Sequence, residues 1–412
     1  MPIDTQRTYL QKHRFAPRQL NVPPKSDLST IVVIPTHREP QLLPTLLSLE
    51  QCQAPKGAVE IILVFNSSIK AEESIRQHHL QQIQEIERWA KAEKRQHSYF
   101  CLHFDQLPHK HAGVGLARKI GMDEAVDRFE QIERDGIIVC TDGDTTLADN
   151  YLVEVEAAFH ANAKLEALGL DFEHPLQGED YPEEVYRGIV QYELFLRYYI
   201  EGLRYAGFPY AFHTIGSAMV VRSSAYQKRG GMNRRKAGED FYFLHKFIPE
   251  GRFQELNSTR VYPSPRPSDR VPFGTGRAIS KYLAGDQSFY PTYDPRTFSD
   301  LKTLFDQIAQ IYTNPPQHLA ASVEAFCEAE NFTHKLPELR ANVRDLASFP
   351  KRFFQWFDAL KVLKYVHFAR DHFYPEVELG LAAADLWELR LGERLSLDQQ
   401  DWLIKYRLQQ NK

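Results

Sequence analysis

Two aspartates one residue apart, Asp142 and Asp144, close an apolar run in IIVCTDGDTTLADNYL, residues 137–152. A run of this kind reads as a buried strand that carries two carboxylates to the edge of a sheet. Several uses fit such a pair. Two hard oxygen donors suit Mg2+ or Mn2+, which can bridge a nucleotide diphosphate. One aspartate can instead serve as a nucleophile in phosphoryl transfer. Plain turn chemistry is the third use, because Asp and Gly are common where strands turn. Two further groups carry chemistry. Gly238-Glu239-Asp240 opens an aromatic helical stretch, and a carboxylate there could take a proton from a hydroxyl. It could equally be a helix acid favoured by the macrodipole. The Pro- and Gly-rich segment STRVYPSPRPSDRVPFGTGRAI holds Arg260, Arg266, Arg270 and Arg277. Guanidinium forks on a mobile loop suit a lid over phosphate oxygens, and a solvated surface loop is the plainer reading.

The elements around these residues alternate. STIVVIPTHRE reads as a strand stopped by Pro35, LLPTLLSLEQC as a helix, and VEIILVFNSS as a second strand. A charged helix is expected over about 71–95, a third strand in SYFCLHFDQL, a helix in GVGLARKIGMDEAVDRFEQI, and a fourth strand in DGIIVCTDGD. Alternating apolar strands and amphipathic helices predict an α/β fold with a mostly parallel sheet. Ligands of such sheets collect beyond the carboxyl ends of the strands. That places Thr36, Asn66, Asp142 and Asp144 on one rim. GVGLAR lacks the third glycine of a dinucleotide fingerprint, having Arg118 in its place.

Past Pro291 the spacing turns helical, in FSDLKTLFDQIAQIY, KRFFQWFDALKVLKYVHF and SLDQQDWLIKYRL, the last with a capping-box pattern from Ser396 to Gln399. The helix around Trp356 carries Lys351, Arg352, Lys361 and Lys364. It could lie on a membrane surface or pack on its neighbours. The expected organisation is an N-terminal arm over 1–27, a catalytic α/β domain over 28–285 and a helical extension over 286–412. In a chain of 412 residues, 43% hydrophobic residues and a net charge of −4 describe a globular protein with no pull toward nucleic acid. No apolar signal segment opens the chain and no run reaches the roughly 18 residues of a membrane span. Four scattered cysteines read as reduced thiols, and the expected location is cytoplasmic.

Taken together, the motifs resemble the family 2 glycosyltransferases of the GT-A fold over roughly residues 30–280. TIVVIPTHRE is similar to the family's opening strand and turn, and IILVFNSS to its second strand. GVGLARKIGMDEA is similar to its "G–AR-G—A" helix and VCTDGDTTLADNYL to its DxD segment. The GG and GED at Gly230–Asp240 are similar to its acceptor-side motif. The resemblance implies an inverting, metal-dependent transfer of a sugar from a nucleotide diphosphate to a hydroxyl acceptor. Thr36 and Glu39 would lie near the nucleoside, with Asn66 beside them and Arg118 on the donor side. Asp142 and Asp144 would bind Mn2+ or Mg2+ and the UDP- or GDP-sugar, and Asp240 would be the catalytic base. Glu239 competes for that role, while Arg266 and Arg270 would serve the acceptor side or a lid. Phe65-Asn66 stands where the family often has two acids, which also admits a non-catalytic nucleotide-sugar-binding protein. DGDTTL separately resembles the DxDx(T/V) motif of haloacid-dehalogenase-like phosphatases, with Asp142 as nucleophile. Those enzymes carry that motif on their first strand.

Overall fold

A computed structural model describes residues 9–271 and 273–411. Residues 1–8 of the expected arm, Pro272 of the arginine-rich loop and Lys412 lie outside the described residues. Along the chain run β1 (Leu28–Thr36), α1 (Leu43–Gln51), β2 (Ala58–Ser68), α2 (Glu73–Ala92), β3 (Ser98–Leu107) and α3 (Val114–Gln131). Next come β4 (Ile137–Cys140), β5 (Thr145–Leu147), α4 (Tyr151–Ala161), β6 (Ala167–Phe172) and α5 (Glu183–Tyr205). Then follow β7 (Met219–Arg222), α6 (Ser223–Lys228), α7 (Glu239–Leu244) and β8 (Phe253–Pro263).

Contacts divide the chain into two compact units. Among the described residues, the first holds 9–175, 214–264, 270–271 and 273–274, and it carries the eight-stranded sheet in the order β3-β2-β1-β4-β7-β6-β8-β5. The expected α/β sheet is present and mostly parallel: β3, β2, β1 and β4 run together, as do β6 and β8. β7 enters antiparallel between β4 and β6, and β5 pairs antiparallel with β8. The unbroken apolar runs of β1 and β2 have their physical reason here. Ile31–Ile34 and Ile61–Phe65 are fully buried, as strands covered on both faces require.

The second unit holds the described residues 176–213, 265–269 and 275–411. These units are discontinuous, which a linear division at residue 285 does not express. α5 belongs to the second unit and supplies Leu194, Tyr198 and Leu203 to its core. The helices that follow include α8 (Thr275–Ala284), α9 (Arg296–Phe305), α10 (Ile308–Ile311), α11 (Ala321–Ala329) and α12 (Phe332–Ala341). The last four are α13 (Phe349–Trp356), α14 (Ala359–His372), α15 (Leu379–Leu391) and α16 (Gln399–Gln410).

Several local expectations need correction. The loop expected through Arg277 is already helical from Thr275. The helix expected through Trp356 is two helices, because Asp358 starts a new one by accepting from the Lys361 amide. α16 is capped by Asp398, which accepts from the Asp401 amide, and not by Ser396. Phe349, Phe353, Phe354 and Phe357 are buried in the core of the second unit, so packing uses the apolar face considered for a membrane. Among the described residues no helix is long and apolar enough to cross a membrane, and the four cysteines are free.

The polar arm proves to be strapped to α3. Arg14 and Arg18 bond Asp127 at 2.6–2.8 Å, and Arg14 also bonds Glu124 at 2.5 Å. The Tyr9 hydroxyl donates to Asp123 at 2.8 Å. α3 is therefore buried almost all round, charged residues included.

Candidate active site

β4 ends at Cys140, and the chain turns through Asp142-Gly143-Asp144 into β5. The turn is tight: the Thr145 amide donates to the Asp142 carbonyl at 3.2 Å. Two neighbours hold it. Thr45 of α1 donates its hydroxyl to the Gly143 carbonyl at 3.0 Å, and the Ser264 amide donates to the Asp144 carbonyl at 3.0 Å. A Cβ on Gly143 would lie 2.6 Å from Leu42 Cδ2, so a larger residue there would have to displace the end of the Leu42 side chain. The pair is thereby carried beyond the carboxyl end of β4 with its side chains partly open to solvent, 38% for Asp142 and 26% for Asp144.

Arg118, one turn into α3, is the hub of the site. It is only 3% exposed, donates to Asp142 Oδ1 at 2.5 Å and bonds the Glu239 carboxylate. Asp240 adds to the negative potential around the same guanidinium. Burial opposes its charge, yet Asp142 and Glu239 together hold its pKa above the usual arginine value. Its Nε is buried without a hydrogen-bond partner. Close packing fixes the group, because a Cβ on Gly216 would sit 2.5 Å from its Nη1.

Glu239 and Asp240 begin α7 behind Gly238, which has a left-handed φ of 69°. Their surroundings differ. Glu239 is buried to 2% and locked to Arg118. Asp240 is partly exposed and accepts from the Phe241 amide at 2.8 Å. Burial raises both carboxyl pKa values, against the pull of Arg118 and with help from neighbouring acids.

On the other side, β1 and β2 pair in register at Thr36 and Phe65. The Thr36 hydroxyl donates to the Ile34 carbonyl at 3.3 Å, and the Asn66 amide group donates to the Gly113 carbonyl at 3.2 Å. Both side chains are buried. Arg270 spans this end: it donates to Glu39 Oε2 at 2.7 Å, to the His37 carbonyl at 2.9 Å and to Asp144 Oδ2 at 3.5 Å. Arg266 falls in the second unit, whereas Arg260 pairs with Glu173 and Asp171 along the sheet.

Sequence reasoning missed a histidine cluster here. The His79 ring meets those of His37, His78 and His103 at 5.6–6.4 Å and stands edge-on to Phe65 at 5.6 Å. Its Nε2 accepts weakly, at 3.4 Å, from the amide of Arg38, a non-glycine residue with φ of 49°. His79 and neighbouring groups thus hold the turn that carries Glu39. The His78-His79 pair and the His37-Arg38 dipeptide were the only available signal, and no spacing rule links them.

Among the described residues no group of three or more His, Cys, Asp or Glu is arranged to hold a metal. The donor set offers two carboxylates. That suits Mg2+ or Mn2+, which commonly keep water and take further oxygens from a substrate phosphate. The arginines now on Asp142 and Asp144 would have to share them. As for the phosphatase reading, Asp142 is held by Arg118 and follows the fourth strand, not the first.

No protein-family model matches the chain, and no curated protein sequence matches it. Among solved structures, S. aureus TarS 1–349 in complex with UDP-GlcNAc aligns over 92% of this chain and 89% of its own, at 14% identity and a TM-score of 0.40. GalNAc-T7 with UDP, GalNAc and Mn2+ aligns over 85% of this chain and 59% of its own, at 12% identity and a TM-score of 0.39.

Proposed function

We propose that the chain is a GT-A-type, family 2-like glycosyltransferase that moves a sugar from a UDP- or GDP-sugar to a hydroxyl acceptor with inversion. The reading rests on one observation: carboxylates from two distant segments converge on buried Arg118 beyond the carboxyl end of β4. Asp142 and Asp144, on one segment, would hold Mn2+ or Mg2+. Bound there, a divalent cation would supply positive charge for the departing diphosphate. Arg118 orients Asp142 and bears a buried, unpartnered Nε–H. Arg270 brings a second guanidinium to Asp144 and Glu39, on the side proposed for the nucleoside.

Asp240, on the other segment, takes the proton of the acceptor hydroxyl. As that proton moves, the acceptor oxygen forms its bond to the anomeric carbon. The bond from that carbon to the diphosphate oxygen breaks on the opposite face, and nucleoside diphosphate leaves. Glu239 cannot serve equally, because Arg118 already holds its carboxylate. A raised carboxyl pKa suits a base that must accept a proton near neutral pH.

The test is incubation with a panel of sugar nucleotides and Mn2+, following release of nucleoside diphosphate. Turnover of at least one donor, lost in Asp144→Ala, is expected. Phosphate release from simple phosphomonoesters, with no donor turned over, would overturn the reading in favour of the phosphatase.

A further inference from the structure

At the opposite end of β4 lies a cleft of about 660 Å3, within the first unit and within the size range of small-molecule sites. Asp135 borders it just before β4, while Asp142 follows the strand. The four residues of β4 alone separate the two ends by ~13 Å. Five basic side chains line the cleft against three acidic ones, in a protein of net negative charge.

The pairing within the cleft leaves this five-to-three excess of cations in place. Asp135 is occupied by Ser224, accepting from its amide at 2.8 Å and its hydroxyl at 2.7 Å. Glu166 is occupied by Arg229 at 3.0 Å and Lys228 at 3.6 Å. Glu133 has no such partner among the described residues, and Asp135 keeps its charge because both Ser224 donors are neutral. Arg222 spends its donors on the carbonyls of Phe159, Asn162 and Leu165, which satisfy its hydrogen bonds and leave its charge uncompensated. Arg134, Lys164 and Arg252 have no carboxylate partner among the described ion pairs; Arg252 reaches only the Lys164 carbonyl, at 3.4 Å. Five cations gathered against three acids in a concave site raise the local potential and favour a multivalent anion. A guanidinium pair and an ammonium offer donors that match phosphoryl oxygens.

We propose that this cleft is a second anion site, separate from the Asp142–Asp144 rim, which binds a small diphosphate-bearing molecule without a divalent cation. The cleft's volume favours a small ligand over a polymer. Arg134, Lys164 and Arg252 grip the phosphoryl oxygens, and Glu133 opposes them.

The probe is inorganic pyrophosphate, titrated by calorimetry at low ionic strength with a chelator present. Binding at one site is expected, weakening as salt rises. The triple variant Arg134→Ala/Lys164→Ala/Arg252→Ala should bind about tenfold or more weakly. Arg270→Ala, at the other end of the sheet, should bind as wild type does. Glu133→Gln should bind more tightly. The triple variant changes exposed or half-exposed side chains, so its melting temperature should match wild type. Wild-type affinity in the triple variant, or loss of binding in Arg270→Ala, would overturn the proposal, as would absence of pyrophosphate binding. None of these outcomes depends on sugar transfer.

Discussion

Glu239 and Asp240 are neighbours in sequence, yet one carboxylate is spent on Arg118 and the other is left with one bond to its own helix. The two substitutions should therefore behave differently. Asp240→Asn keeps the hydrogen bond to the Phe241 amide and removes a charge that burial disfavours. It should melt at or above the wild-type temperature at pH 7, while transfer falls about 10²–10⁴-fold with donor affinity unchanged. Near wild-type turnover in this variant would remove Asp240 from the mechanism. Its raised pKa sets the pH dependence too. A base works deprotonated, so the rate should fall with acid at a pH above the ordinary aspartate range, and Asp240→Asn should lose that limb. Glu239→Ala leaves Arg118 buried with one fewer partner. A thermal or urea unfolding measurement should show a loss approaching ~3–5 kcal/mol, eased by the remaining bond to Asp142. An unchanged unfolding midpoint would mean that the buried pair contributes nothing.

At the scale of elements, Arg270 is latched to the carboxyl-end rim of its own unit through Glu39, the His37 carbonyl and Asp144. The same Asp144 carboxylate is proposed for the metal, so arginine and cation compete. Arg270→Ala should bind Mn2+ alone several-fold more tightly, as read by electron paramagnetic resonance of the free ion. The amides of Arg270, Val271, Phe273 and Gly274 should also exchange faster in the free protein. Unaltered Mn2+ affinity together with unaltered exchange would make the latch a surface contact. The Asp-Gly-Asp turn depends on the same kind of local fit. Gly143→Ala would press a methyl against the end of the Leu42 side chain and toward Glu39, and donor turnover should drop where that side chain does not yield.

For the whole molecule, buried histidines set the response to acid. His79 is held at a pKa of about 3, mainly by burial and then by the three neighbouring histidines, and burial holds His213 at about 3 as well. Unfolded histidine titrates near 6.5. Between these values the unfolded chain binds protons that the folded chain does not, so stability rises with pH across the window. The stability present above about pH 6.5 should be lost progressively as pH falls toward 3. Urea midpoints measured from pH 8 to pH 5 should show the decline beginning near 6.5, with a shallower slope in His79→Gln. A slope identical to wild type would exclude His79 as a source.

The strands were legible because burial on both faces demands unbroken apolar runs such as IVVI and IILVF, and period and length then separate strand from helix. The carboxylate pair at the end of β4 was legible for a related reason: an apolar run that stops at Asp-Gly-Asp can only present those acids at its edge. What each acid does there was decided by tertiary contacts. Arg118 meets Glu239 across 121 positions, and Arg270 meets Glu39 across 231. No local period encodes such distances. The same limit explains α3, whose Asp123, Glu124 and Asp127 look solvent-facing by pattern but are buried under Tyr9, Arg14 and Arg18 of the arm. It also explains α5, placed with the α/β domain by sequence order and with the helical unit by packing. Composition and period are properties of neighbouring residues, whereas charge pairing and unit membership depend on which distant surfaces the folded chain brings together.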